Sequence, residues 1–395
     1  MSVDRLRSLD GNWNYPTAIR FGIGRIDELA DACWALGIRR PLLVTDPGLA
    51  ALPMIDTARA HCVAAGLDCS VFSQIKGNPN EDNVIAGVEH YRSGDHDGVI
   101  AFGGGSALDA GKAIALMAGQ TRPLFDFEDR EDWWTRVDEA AMAPVIAVPT
   151  TSGTGSEVGR ASVITDEASR TKKIIFHPRM LPAIVIADPA LTAGLPAHIT
   201  AAVGMDALSH NLEALCSPLH HPMAEGIALQ GIRLIARWLE EVCADGSNLE
   251  ARAHMQVAST MGATAFQKGL GAMHSLSHPC GSVLDLHHGL CNAIVMPYVL
   301  EFNRDAIGEK MQVLARVLDL PSQNHDGVMT WILELRQKIG IPHTLAEIGV
   351  TAKNIATLAP MAEQDPSSPT NPVALSTANC AALFERCIEG RLDIA

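Results

Sequence analysis

Apolar residues follow two different rhythms along the chain, and the change comes close to its middle. Up to about residue 190 they form short unbroken runs: 41–45 (PLLVT), 69–74 (CSVFSQ), 98–102 (GVIAF) and 144–149 (PVIAVP). Runs of that length without polar alternation predict strands buried on both faces. Helix-length segments at 55–65 and 81–91 separate the first three, the order expected of a parallel sheet with helices on both sides. Further β-type runs follow at 162–165, 173–176 and 183–187. From about residue 192 the spacing becomes three-and-four. Segments 198–215, 223–243, 248–266, 311–318 and 328–339 predict helices, punctuated by Pro218, Gly246, Pro321 and Pro342. Residues 364–372 (QDPSSPTNP) read as a loop and 376–391 as a closing helix. The expectation is α/β followed by all-α, with domains at 1–190 and 191–395.

Composition agrees with two globular domains. The 395 residues exceed one ordinary core, and 47 % apolar with 19 % charged residues is typical of a folded enzyme. A formal net charge of −15 removes any electrostatic reason to bind nucleic acid or an anionic membrane. Nine cysteines stand at scattered positions without a CxxC pair, which argues against a disulfide framework and a thiolate zinc site. Residues 1–16 carry Asp4, Arg5, Arg7 and Asp10 and no apolar core of a signal peptide. No segment reaches the ~18 uninterrupted apolar residues of a membrane span. A cytoplasmic protein is expected.

Candidate chemistry begins at Gly103-Gly104-Gly105-Ser106, between the strand at 98–102 and a helix at 107–118. Consecutive glycines let backbone approach a phosphate, and the N–H groups of a helix start favour its charge. Asp109 in the first turn suits the helix dipole, with Lys112 three residues on. The pattern is neither GxGxxG nor a Walker loop, and alone it equally describes a plain strand-to-helix turn. A second loop, 149–157 (PTTSGTGSE), also follows a strand and gathers hydroxyls where a parallel sheet places its ligand crevice. Asp46, after the first strand, is placed to accept from an adenosine ribose, which favours NAD over NADP. Followed by Pro47 and Gly48, it equally suits a turn.

Histidine is the other signal. The window 274–288 holds His274, His278, His287 and His288, where chance places fewer than one of the fifteen. Asp206 and His210 are four apart in a helical pattern and share a helix face, and His274 and His278 repeat that spacing. Three imidazoles and one carboxylate suit a divalent first-row metal, Fe(II), Zn(II) or a relative. His220 and His221, before Pro222, read as loop residues.

With these residues in view, the sequence resembles the iron-containing (group III) alcohol dehydrogenase family over nearly its whole length. The matching blocks are GNPNEDNV from Gly77, GGGSALDAGK from Gly103, PTTSGTGSE from Pro149 and GMDALSHNLEA from Gly204. HSLSHPCGSVLDLHHGLCNAIVMPYVLEFN from His274 is the most specific, and TNP from Thr370 adds a C-terminal block. The resemblance implies a dehydroquinate synthase-like architecture: a Rossmann-like nucleotide-binding domain, a helical metal-binding domain, and a cleft between them. It implies that Asp206, His210, His274 and His288 hold the metal. Gly104, Gly105, Ser106 and Asp109 would cradle the pyrophosphate, with Thr150, Thr151 and Thr154 along the cofactor. Asp46 and Asn78 would face the adenosine side and Lys172 the nicotinamide ribose. His278 matches a histidine beside the reaction centre that is not a ligand. A dimer or larger homo-oligomer is implied as well. Two positions depart from many relatives: His287, where proline is common, and Ala161, where some carry a polar residue.

The expected activity is NAD(H)-linked interconversion of a small alcohol and its aldehyde or ketone, with the substrate oxygen on the metal and His278 relaying a proton. The rivals are a maleylacetate-reductase-like or glycerol-dehydrogenase-like enzyme and, from another class, a metal-dependent hydrolase.

Overall fold

A computed structural model of the chain describes Tyr15 and residues 17–392. The reading of residues 1–16 as free of a signal-peptide core lies outside the described residues, Tyr15 apart. The chain divides into two compact units after Gly194.

The first unit contains β1 (Ala18–Phe21), β2 (Pro41–Val44), β3 (Ser70–Phe72), β4 (Gly98–Gly103), β5 (Val145–Pro149), β6 (Ala161–Asp166), β7 (Thr171–Phe176) and β8 (Ile184–Ala187). Its helices are α1 (Leu29–Ala35), α2 (Pro47–Ala50), α3 (Pro53–Ala64), α4 (Glu81–Ser93) and α5 (Gly105–Met117). Six strands form a parallel sheet in the order β1-β8-β5-β4-β2-β3. Both faces are covered, which is why the central strands are apolar throughout. Leu43, Ile100, Phe102, Ile146 and Val148 face a layer containing Leu29, Cys33, Ile55 and Cys62 of α1 and α3. On the other face α5 lies so close that a Cβ on Gly111 would fall 2.6 Å from that of Ala101.

Of the further β-type runs, that at 183–187 joins the sheet as β8. The runs at 162–165 and 173–176 pair with each other, Val163 opposite Ile174 and Thr165 opposite Lys172, as an antiparallel ribbon outside the sheet. Lys172 and Lys173 explain this, because a central strand has no wet face for them. Strand β1 gave no sequence signal. It is an edge strand with β8 as its neighbour, largely exposed, and needs no apolar run.

The second unit is helical. It contains α6 (Ala197–Cys216), α7 (Pro222–Ala244), α8 (Leu249–Ala265), α9 (Ala272–Leu284) and α10 (His288–Phe302). These are followed by α11 (Arg304–Val317), α12 (His325–Lys338), α13 (Ala352–Glu363) and α14 (Thr377–Glu389). Their apolar faces meet in one continuous core that includes Leu208, Ile232, Leu276, Ile294, Tyr298, Met329 and Phe384. Helices α9 and α10 escaped the periodicity reading for a physical reason. Nearly all of α10 from Gly289 to Leu300 is buried, so it has no polar face to set a rhythm, and Pro279 and Pro297 interrupt both. All nine cysteines are free thiols. No helix among the described residues is long and apolar enough to cross a membrane.

Candidate active site

In the first unit the sequence-selected loops meet at the C-terminal edge of the sheet. Gly104 is the N-cap of α5, and the Thr150 N–H donates to the Gly103 carbonyl at 3.0 Å, fastening the loop after β5 to the one after β4. The approach is close enough to need glycine: a Cβ on Gly105 would fall 2.6 Å from Thr154 Cγ2, and one on Gly104 3.2 Å from Thr151 Cγ2. Ser106 follows in the first turn. Asp46 stands after the neighbouring strand, where Oδ1 accepts from Leu49 N at 3.0 Å and caps α2. Its Oδ2 would be 3.8 Å from a Cβ on Gly103, so it borders the glycine loop.

Asn78 lies after β3 with a left-handed backbone (φ 51°) that asparagine tolerates. In the same turn Asn80 caps α4: its Oδ1 accepts from Asn83 N at 3.1 Å, and its own N–H donates to Asn83 Oδ1 at 3.2 Å. Thr165 N donates to Pro79 O at 2.8 Å, tying this turn to the ribbon, where Lys172 is the residue opposite Thr165.

Asp109 faces inward. Its carboxylate accepts from Ser156 Oγ and, at 2.9 Å, from Val163 N, and it pairs with Lys112 at 3.2 Å. Lys112 is fully buried and donates to the carbonyls of Ser156 and Ala161. Burial lowers its ammonium pKa, against the pull of Asp109 and Glu157. Together the two residues clamp the 149–157 loop and the ribbon to α5.

In the second unit, Asp206, His210, His274 and His288 each offer a ligand atom, and these atoms lie within 4.8 Å of one another. The first three residues are buried and His288 partly so. Helix α6 carries Asp206 and His210 one turn apart, α9 carries His274, and α10 opens with His288. A Cβ on Gly289 would fall 2.6 Å from Ala202 O and 2.9 Å from Asp206 Cβ, so the missing side chain is what lets α10 press His288 against α6. The His210 ring stacks on His274 at 4.7 Å.

The surrounding groups set which imidazole nitrogen is available. His274 Nδ1 donates to Glu213 Oε2 at 2.6 Å, leaving Nε2 as the lone-pair atom. Burial lowers the His274 pKa, but the Glu213 carboxylate outweighs it and the net direction is upward. Glu213 also accepts from Met273 N at 2.6 Å, and Asn371 Oδ1 accepts from Ala272 N at 3.0 Å, so the start of α9 is fixed from two sides. His288 Nδ1 is 3.3 Å from Ser277 Oγ. Asn292 Nδ2 donates to Asp206 Oδ1 at 2.8 Å. A largely buried group of three imidazoles and a carboxylate, backed by a second carboxylate, fits a divalent first-row cation by donor type and spacing.

His278 stacks on His288 (5.2 Å, 14°) and is edge-on to His274. Its Nδ1 donates to Asp365 Oδ2 at 2.7 Å. Burial raises the Asp365 carboxyl pKa, yet His278 and the Ser367 N–H bring it below its ordinary value. His287 takes a different part: it is exposed and caps α10, Nδ1 accepting from Leu290 N at 3.3 Å.

Sequence reasoning missed Glu213, Asn292 and Asp365. Glu213 continues the Asp206/His210 face at i+7, and Asn292 follows His288 at i+4, so helical spacing could have found both. Asp365 comes from the 364–372 loop and had no local signal.

A Rossmann-like sheet with a glycine loop and, in the same chain, a helical unit with an Asp-His₃ cluster fit a nucleotide- and metal-dependent enzyme. Comparison with known proteins agrees. Residues 16–189 match the iron-containing alcohol dehydrogenase model, and residues 200–388 match the C-terminal model of the Fe-containing alcohol dehydrogenase family. The chain is 40 % identical to 4-hydroxybutyrate dehydrogenase of Cupriavidus necator, over 94 % of this chain and 98 % of that one. It is 33 % identical to NAD-dependent methanol dehydrogenase of Bacillus methanolicus, over 95 % of this chain and 100 % of that one. The crystal structure of a 1,3-propanediol oxidoreductase superposes with a TM-score of 0.91 at 34 % identity, covering 96 % of this chain and all of that one. The chain belongs to the iron-containing alcohol dehydrogenase family. By that membership it is an oxidoreductase of the iron-type alcohol dehydrogenases.

Proposed function

We propose that Asp206, His210, His274 and His288 hold the cation in the helical unit, Fe(II) foremost. The observation that carries this is the four donor atoms within 4.8 Å, one of whose imidazoles has its outer nitrogen bound to a buried carboxylate. When bound, the cation supplies Lewis acidity and the nicotinamide accepts or returns a hydride. The chain's own residues do the rest. Glu213 fixes the His274 tautomer, and Asp365 holds the proton on Nδ1 of His278. The lone pair of Nε2 is then available to take the alcohol proton, and the protonated ring returns it in the reverse direction.

In the sheet unit, Gly104, Gly105 and Ser106 at the start of α5 receive the pyrophosphate through backbone N–H groups. Thr150, Thr151 and Thr154 line the cofactor. Asp46 accepts from the adenosine ribose, Asn78 lies on that side, and Lys172 serves the nicotinamide ribose. Asp109 acts by positioning, since its oxygens engage Ser156, Val163 and Lys112.

The relatives named for 4-hydroxybutyrate and methanol support a short primary alcohol as substrate. Nine free thiols support a reducing, cytoplasmic setting. Edge strand β1, with Ile19, Phe21 and the following Ile23 exposed, supports a homodimer or larger assembly, which light scattering measures.

The function is tested with methanol, 1,3-propanediol and 4-hydroxybutyrate, each with NAD and NADP, on protein reconstituted anaerobically with Fe(II) or Zn(II). Metal-dependent nicotinamide reduction with at least one is expected. Equal turnover after exhaustive chelation would defeat the assignment.

A further inference from the structure

Asn292 lies one turn into α10 from His288 and is fully buried. Its amide nitrogen is 2.8 Å from Asp206 Oδ1, 3.1 Å from His288 Nε2 and 3.3 Å from His274 Nε2. These are the atoms that the metal assignment turns toward the cation. His274 spends Nδ1 on Glu213, so its Nε2 is an acceptor in the neutral ring. One amide therefore presents two hydrogens to a group of three electron-rich atoms.

The other end of the same side chain is instructive. Asn292 Oδ1 is buried without a hydrogen-bond partner. Turning the amide over would aim that oxygen at the Asp206 carboxylate, lone pair against lone pair. The acceptor cluster thus dictates the orientation, and the unpartnered oxygen is its consequence.

We propose that Asn292 is a positioning residue for the metal centre. Its amide places partial positive charge among the ligand atoms and holds Asp206, His274 and His288 in their ligating arrangement before the ion arrives. Without that donor, a carboxylate and two imidazoles with inward lone pairs repel one another at close range and splay. The incoming ion must then reassemble the site at the expense of its affinity. The contacts to His274 Nε2 and His288 Nε2 occupy the lone pairs that the ion takes, so they hold the metal-free arrangement and are released on binding. The hydrogen bond to Asp206 is the one left to orient its carboxylate in the loaded protein. The inference rests on the ligand assignment above.

The test uses Co(II) as the probe, read by its visible absorption bands and by competition with a chelator. Wild-type protein should bind one Co(II) per chain; failure to bind removes the ligand assignment itself. Given that binding, Asn292→Leu, which keeps the volume without the donor, and Asn292→Ala should both weaken Co(II) by about 10–100-fold. Both should alter the bands while far-UV circular dichroism of the loaded protein stays unchanged. A folded Asn292→Leu protein with wild-type affinity and spectrum overturns the proposal, as does a loss confined to Asn292→Ala, which would mark a packing role. If neither variant folds, wild-type protein labelled with ¹⁵N-asparagine decides. The Asn292 side-chain amide signal should be slow to exchange in the metal-free protein and should shift on adding Zn(II); an unmoved signal overturns the proposal.

Discussion

In the sheet unit most of the assigned cofactor residues stand on loops after strands or at the start of α5, and most contribute backbone or a hydroxyl. In the helical unit the assigned ligands are side chains on helices, and three of the four are backed by another side chain: Glu213 behind His274, Ser277 behind His288, Asn292 beside Asp206. The difference suits the two groups proposed to bind. A dinucleotide is long and presents phosphates that backbone N–H groups satisfy, so close approach matters and glycine supplies it. A cation needs four donors converging on a point, and only side chains on rigid helices meet there. Each unit accordingly has its own point of failure. For the sheet it is whatever clamps the loops, and for the helices it is any one donor.

The sharpest break in the comparison is His274→Ala. It removes a buried donor and strands Glu213, so metal content by elemental analysis should fall to near zero and activity with it. NAD binding in the other unit should survive. His287→Ala should keep its metal, because His287 is an exposed cap of α10. Loss of metal from His287→Ala but not from His288→Ala would reverse the assignment of these neighbours.

Next in size is His278, which belongs to the helical unit but not to its ligand set. His278→Ala should lower kcat by about 10²–10⁴-fold at unchanged metal content, the usual scale of general acid–base help. Asp365→Asn should lower it less, since the imidazole remains while its proton is no longer anchored on Nδ1. Wild-type kcat with an unaltered pH–rate profile in His278→Ala ends the proton-transfer role. Departure of the metal with the side chain makes His278 a ligand instead.

The mirror test in the sheet unit is Lys112→Met. Removing one member of a buried pair typically costs about 3–5 kcal/mol, because the other charge is left without its partner. Here that is Asp109, and the carbonyls of Ser156 and Ala161 also lose their donor. The expected result is a lower melting temperature and weak NAD binding by calorimetry, with Zn(II) stoichiometry intact. Tight NAD binding in this variant would show that the 149–157 loop keeps its shape without the clamp.

The same contrast explains what the sequence made legible. The sheet was readable because strands buried on two faces are apolar without interruption, as Gly98–Gly103 and Val145–Pro149 are. The proposed ligand set was noticeable because Asp206 and His210 repeat at helical spacing and four histidines crowd fifteen residues. What lay hidden depends on distance along the chain or on burial without a polar face. Asp365 reaches His278 across 87 residues, and Asn371 fixes the start of α9 across 99. No local pattern encodes such pairings. Asp109 shows the converse: the family resemblance implied a pyrophosphate contact, whereas on α5 both its oxygens accept hydrogen bonds from Ser156 and Val163.

The smallest expected effect separates two roles carried by one residue, Asp46. Its Oδ1 caps α2 through Leu49 N, and that alone would justify an aspartate after a strand. The proposal adds that the carboxylate accepts from the ribose hydroxyl of NAD and repels the 2′-phosphate of NADP. Asp46→Asn separates the two, because asparagine caps a helix about as well as aspartate but carries no charge. If the residue only caps, cofactor preference stays where it was. If its charge selects, the ratio of kcat/KM for NAD over NADP should fall by roughly tenfold, the scale of one hydrogen bond to a charged group. Asp46→Gly should move the ratio in the same direction at a stability cost of only a few tenths of a kcal/mol, since glycine is itself an acceptable cap. Wild-type preference for NADP would end the argument directly. An unchanged ratio in a folded Asp46→Asn protein would return Asp46 to the turn and leave cofactor choice to other residues of the sheet unit.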